Sequence, residues 1–192
     1  MNRDAAVAGH WVTLEPLSDA NRLEVARIDA TRHRTPNLGG APGRRDVSRP
    51  FGPAMLIRAN ADGAAIGVIE NGQMSGYPGV AVVLIFVDES VARPGVAMEA
   101  FAIYVARVFA AGARLVHIEV LEFNTPVLRM LARIGVDQQA RLRHQAYAAG
   151  RFWDVLVFAF DAEKFQNIVS RYARKLPGGD RRPAALGGKR KP

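Results

Sequence analysis

Between Val80 and Val136 the chain alternates strand-like and helix-like runs with little room between them, and this limits the fold more than any other stretch. Val80 to Val87 (VAVVLIFV) is an unbroken apolar run of buried-strand length. A short loop follows, ending in Ala92-Arg93-Pro94-Gly95-Val96-Ala97. From about Gly95 to Ala111, Met98, Phe101, Ala102, Val105 and Val108 or Phe109 recur at helical spacing, and Gly112 ends the helix. Leu115 to Leu121 (LVHIEVL) reads as a second strand. Asn124-Thr125-Pro126 then opens a helix that Gly135 caps. A glycine-bearing turn between a buried strand and a helix start is a place where unbonded backbone N–H groups can hold a phosphate.

The 192 residues suffice for one domain with its own core, and a hydrophobic content of 49% fits a globular chain. No apolar run reaches the ~18 residues that span a bilayer. The opening MNRDAAVAGHWV lacks the apolar stretch of a secretory signal, so a cytoplasmic protein with no membrane partner is expected. The absence of cysteine excludes disulfides, thiolate zinc sites and a cysteine nucleophile. His10, His33, His117 and His144 show no metal-ligand spacing, and no metal is expected.

The net charge of +8 is unevenly placed. From Arg171 onward eight bases face one acid, Asp180, which leaves 18 bases against 17 acids in the rest of the chain. The tail from Pro177 is Gly, Pro and basic residues, a composition that predicts disorder. It is either a solvated solubility device or an arm for a polyanion.

Trp11 to Leu17 reads as an opening strand, and Ser18 or Asp19 caps a helix over Asn21 to Ala30. Thr31 to Pro53, rich in proline and arginine, is a long loop. Ala54–Ala59 and Ala64–Glu70 form a hairpin, and Gly72 to Gly79 is a turn. Gln138–Ala148 and Phe152–Phe160 are antiparallel strands, followed by a helix over Ala162–Leu176. Trp11 and Trp153 read as core, and His117 as a packed or half-exposed residue.

In this order and at these spacings the chain resembles the GNAT acyltransferases over roughly Trp11 to Phe160. The family's loop before the long helix runs Gln or Arg, two residues, Gly, one residue, then Gly or Ala. Gly95 and Ala97 match, with Ala92 at the first position. NTPVLRMLARIGV is similar to the family helix Asn-x-x-(Ser/Ala)-x-x-x-(Tyr/Leu)-x-x-x-Gly-Phe, with Asn124 and Gly135 matching and Val127 and Val136 departing. Leu131 stands where many relatives carry the tyrosine that protonates the leaving thiolate. That absence is common in the RimJ/RimL-type branch, which acetylates protein N-termini and which the opening GHWVTLEPL also resembles.

The resemblance implies an α/β (α+β) fold over residues 1–176, with a mixed, mostly antiparallel sheet of six to seven strands and helices on both faces. Residues 177–192 form the tail. It implies acyl transfer from acetyl-coenzyme A to a primary amine of a small molecule or peptide, by direct attack in a ternary complex. Phe86, Val87, Arg93, Gly95, Val96, Ala97, Met98, Asn124 and Arg129 would hold the cosubstrate, and the Val87 backbone N–H would polarise the thioester carbonyl. Candidate bases are Asp88, Glu89, Glu70 and Glu119. Tyr104 and Tyr147 are the alternative acids nearest in sequence. Arg32, Arg34, Arg44 and Arg45, with Arg49, lie in the loop that borders the family's acceptor pocket. They either contact an acidic acceptor, reach the coenzyme A 3′-phosphate, or form a solvated loop. Homodimerisation is left open. Two other readings stand beside the enzyme: an eroded GNAT fold that binds acyl-CoA or a partner protein, and an RNA- or ribosome-associated module.

Overall fold

The computed structural model describes residues 5–32, 51–73, 77–88 and 95–173. In chain order the elements are β1 (Val7–Ala8), β2 (Val12–Pro16), a 3-10 turn (Asp19–Asn21), α1 (Arg22–Arg32), β3 (Met55–Ala59), β4 (Ala65–Gln73) and β5 (Val80–Val87). There follow α2 (Val96–Ala110), β6 (Leu115–Leu121), α3 (Thr125–Ile134), β7 (Gln138–Ala148), β8 (Arg151–Phe160) and α4 (Ala162–Ala173). The strands make one sheet in the order β1-β2-β3-β4-β5-β6-β8-β7. All neighbours are antiparallel except β5 and β6, which α2 joins as a crossover.

The mixed, mostly antiparallel sheet with helices on both faces is the expected architecture. Its eight strands exceed the expected six to seven because of β1, which pairs Val7 with Leu14. Two residues are too few to show a period-2 pattern. β4 also runs on to Gln73, past the expected strand end at Glu70 and into the expected turn that begins at Gly72. Asn71 is buried, and its amide donates to the Tyr104 hydroxyl (2.6 Å) and the Gly52 carbonyl (3.0 Å), so tertiary bonds hold it in the strand. Ile57 pairs with Gly67 while Arg58 pairs with Ala65, so Ile66 is an extra residue, a bulge in β4.

The main core lies between the sheet and the face carrying α2, α3 and α4. A smaller cluster of Val25, Ile28, Leu56, Ala65, Val68 and Phe86 packs α1 on the opposite face. The Arg58 guanidinium forks between Glu15 (3.0 Å) and Glu24 (2.9 Å), tying β2, β3 and α1 together.

Candidate functional site: a parted strand pair beside a helix start

β5 and β6 pair only at Val80–Leu115, Ala81–Val116 and Val82–His117. Beyond that point, among the described residues, no strand pairs with β5 on this side, and the sheet opens as a wedge. The carboxyl ends of parallel strands at such a switch point are where ligands of open α/β sheets bind.

The hydrogen-bond register fixes what the wedge presents. The Asp88 N–H donates to the Ile66 carbonyl (2.8 Å), so Asp88, Phe86 and Leu84 aim their backbone groups at β4. The Gly79 carbonyl accepts from Arg114 (2.7 Å) and Leu115 (3.2 Å) on the other side. Alternation therefore turns the N–H and C=O groups of Val83, Ile85 and Val87 into the wedge. Gly67 faces Val87 across the pair, and a Cβ there would run into the Phe86 carbonyl oxygen.

Gly95 caps α2 with φ of 94°, a conformation that disfavours a side chain. The first turn leaves the N–H groups of Val96, Ala97 and Met98 without intrahelical acceptors, at the positive end of the helix. Glu99 in that turn is engaged elsewhere: its carboxylate accepts from the backbone N–H groups of His10 (2.7 Å), Trp11 (2.7 Å) and Val12 (3.0 Å). This docks the β1–β2 turn on α2 and brings the Trp11 ring to Gly95. A Cβ on Gly95 would lie 3.1 Å from Trp11 Cζ3 and 3.2 Å from the Tyr172 hydroxyl.

Below this point an apolar cavity of about 130 Å³ sits over the wedge. Ile85 and Ile118 line it from the strands, Met98 and Phe101 from α2, and Val127 and Leu131 from α3. Phe165, Ile168, Val169 and Tyr172 of α4 close it. α4 lies between the two other helices. Its Phe165 ring meets Phe109 of α2 (centroids 5.6 Å apart), and Lys164 pairs with Asp137 just past α3 (2.6 Å). Burial, and then the Glu99 carboxylate, push the Tyr172 phenol above its ordinary value, which keeps it a hydrogen-bond donor.

The other face of the sheet carries carboxylates. Glu70 of β4 pairs with Leu84 of β5, and Glu119 lies two residues past the last β5–β6 pair. His117 sits on that same face at the apex of the wedge. Its Nδ1 is buried, with no hydrogen-bond partner among the described residues. The sequence reads this residue as packed or half-exposed, and it is half-buried, but alternation alone says nothing about partners. At the top of β8, Asp154 is buried and accepts from the His144 N–H (2.9 Å) and Arg141 Nε (2.5 Å). The His144 bond first, and Arg141 second, hold its carboxyl below the usual value. Glu122 completes the cluster through Arg141 Nη2 (2.8 Å).

The structure thus gathers Val87, Gly95, Val96, Ala97 and Met98 around one wedge. Phe86 is not there: its backbone turns to β4 and its ring packs in the α1 cluster. The Asn124 side chain caps α3 by accepting from the Val127 N–H (3.4 Å), and Arg129 is exposed on that helix. Asp88 ends β5. Leu131 is 2% exposed and belongs to the core. Tyr104 is buried and donates to the Pro53 carbonyl (3.0 Å), while Tyr147 is exposed against Phe152, so neither lines the cavity. Trp153 packs between Arg151 and Phe123. Glu89, Arg93, Arg34, Arg44, Arg45 and Arg49 lie outside the described residues, as do the Arg32 side chain and the tail beyond Ala173. Among the described residues no acid or histidine group could hold a metal, and no helix is long and apolar enough to cross a membrane.

No family model matches the chain, and no curated protein matches its sequence. Solved structures do match. A GCN5-related N-acetyltransferase from Brucella melitensis superposes with a TM-score of 0.71 at 19% identity, over 91% of this chain and 87% of its own. RimJ from Mycobacterium smegmatis, in complex with CoA-disulfide, gives 0.65 at 21% identity over 84% and 89%. Spermidine N-acetyltransferase from Vibrio cholerae, in complex with CoA and spermine, gives 0.70 at 14% identity over 82% and 99%. The fold is that of the GNAT N-acetyltransferases, as the sequence motifs implied.

Proposed function

We propose that the chain is an N-acyltransferase that moves an acetyl or other short acyl group from acyl-coenzyme A to a primary amine in a ternary complex. One observation carries this reading: the backbone edge Val83–Ile85–Val87 turns into a wedge whose mouth is the N-terminus of α2. The two amides of a pantetheine arm match that edge as a third strand would, and a pyrophosphate matches the N–H groups of Val96, Ala97 and Met98. Acyl-coenzyme A supplies the activated thioester. CoA complexes of the same fold support the choice of donor.

The chemistry asks for little beyond alignment. The amine nitrogen attacks the thioester carbonyl carbon, a C–N bond forms, and the C–S bond breaks to release the thiolate. Holding the two reactants together supplies ~7 kcal/mol or more in well-ordered cases. The Val87 N–H donates to the developing oxyanion. Glu119, Glu70 or Asp88 takes the proton from the ammonium, directly or through water, and His117 joins these candidates because its Nδ1 has no partner among the described residues. The acceptor approaches from the carboxylate-bearing face, opposite α2. Arg32, Arg34, Arg44 and Arg45 remain proposed acceptor contacts. A second reading, binding of acyl-CoA without turnover, draws on Leu131, an apolar core residue where relatives place an acid.

Calorimetric titration with acetyl-CoA, followed by thiol release with a panel of primary amines, tests the proposal. Saturable binding and amine-dependent thiol release are expected. Binding without release for any amine selects the second reading, and no binding refutes both.

A further inference from the structure

We propose that α4 is an intramolecular occupant of the acyl-CoA groove and pivots out of it at Asp161 to admit the pantetheine arm; this rests on the acyl-CoA reading above. The groove's floor is the β5 edge, and its walls are α2 and α3. α4 lies between those walls along the length of α2. Phe165 is at α2's last turn, and the Tyr172 hydroxyl is at its N-cap, Gly95. Four α4 side chains, Phe165, Ile168, Val169 and Tyr172, stand over Ile85 and Ile118. An arm lying along Ile85 therefore competes with α4 for the same space.

Three features suit α4 to leaving. It is joined to the sheet by one residue, Asp161, between the end of β8 and the start of the helix. Asp161 caps α4 through the Lys164 N–H (2.8 Å), so the helix keeps its own terminus satisfied wherever it lies. The floor beneath it is not filled, since the cavity of about 130 Å³ lies between α4 and the strands. Close-packed interiors hold few voids of that size, and a helix over one has given up contacts it would otherwise make. At its far end the Tyr172 hydroxyl of the helix and the Trp11 ring both come up against Gly95.

A bound helix lowers apparent affinity by the fraction of molecules in which the groove is open. The chain has no cysteine, so a short bismaleimide applied to the full-length double variant Trp11→Cys/Tyr172→Cys links only those two positions. Acetyl-CoA is the probe, and affinity is read by calorimetry with folding checked by circular dichroism. The linked form is expected to bind at least ~tenfold more weakly than the same variant unlinked, and Tyr172→Ala more tightly than the parent, by ~3- to 10-fold. Linked and unlinked forms that bind within twofold of each other overturn the pivot while leaving the acyl-CoA reading intact. Should the double variant not fold, unchanged affinity in Tyr172→Ala overturns it. Absence of binding in the parent and in Tyr172→Ala refutes the acyl-CoA reading, and the pivot falls with it.

Discussion

Gly95 lets the two demands on the start of α2, backbone shape and phosphate approach, be measured separately. Its φ of 94° costs an alanine ~1–2 kcal/mol. The added Cβ would meet Trp11 at 3.1 Å and Tyr172 at 3.2 Å, ring tips that need move only a few tenths of an ångström. Gly95→Ala should therefore lose ~1–2 kcal/mol of stability, a fall of ~3–6 °C in Tm for a chain of this length. Gly95→Glu carries the same backbone cost and adds a carboxylate where the phosphate must come. At a separation of ~5 Å and an effective dielectric between protein surface and water, one added charge opposes a phosphate by ~2–3 kcal/mol. Relative to Gly95→Ala, acetyl-CoA binding should weaken by ~30- to 150-fold, and by less at high salt. Using Gly95→Ala as the baseline removes any effect of loosening Trp11 and Tyr172. Calorimetric affinities that are equal for the two variants would refute the placement of the pyrophosphate.

Glu99→Ala leaves three backbone N–H groups of the β1–β2 turn without their carboxylate, and urea unfolding should show a loss of ~2–3 kcal/mol; a loss below ~0.5 kcal/mol would contradict the clamp. Asp154 has a folded-state value below its ordinary 3.8, so its contribution is present above the unfolded value and lost as pH falls through the folded one. The stability gap between the parent and Asp154→Asn should be constant near neutrality and close below about pH 4, and a gap that persists at lower pH would count against it. Deleting residues 177–192, which are poor in apolar side chains, should leave Tm and the acetyl-CoA shift unchanged while heparin retention falls; loss of folding would show that the tail packs on the body.

Much of the site was legible because its punctuation is local. Gly95 and Gly135 mark helix ends by a positive φ that few other residues accept, Asn124 marks one by its capping side chain, and the structure has all three at those ends. The apolar run Val80–Val87 fixed β5 to the residue. What stayed hidden depends on partners far along the chain. Glu99 reads as an ordinary first-turn acid, yet it holds a turn 87 to 89 residues away. Asn71 lies just past the expected strand end at Glu70, and Tyr104 and Gly52, which hold it in the strand, are distant in the chain. α4 shows an apolar face in sequence, but its spacing cannot say that the face lies in the wedge. Phe86 and Val87 are adjacent, and only the register of β4 against β5 decides which one turns its N–H into the wedge.

A crystal structure of the full chain grown with acetyl-CoA tests the central claim most directly. The account predicts the pantetheine arm between β5 and β6, bonded along the backbone edge Val83–Ile85–Val87, the pyrophosphate at Val96–Met98, and α4 out of the groove. Density for acetyl-CoA elsewhere on the molecule, with β5 and β6 still parted and nothing between them, would contradict it.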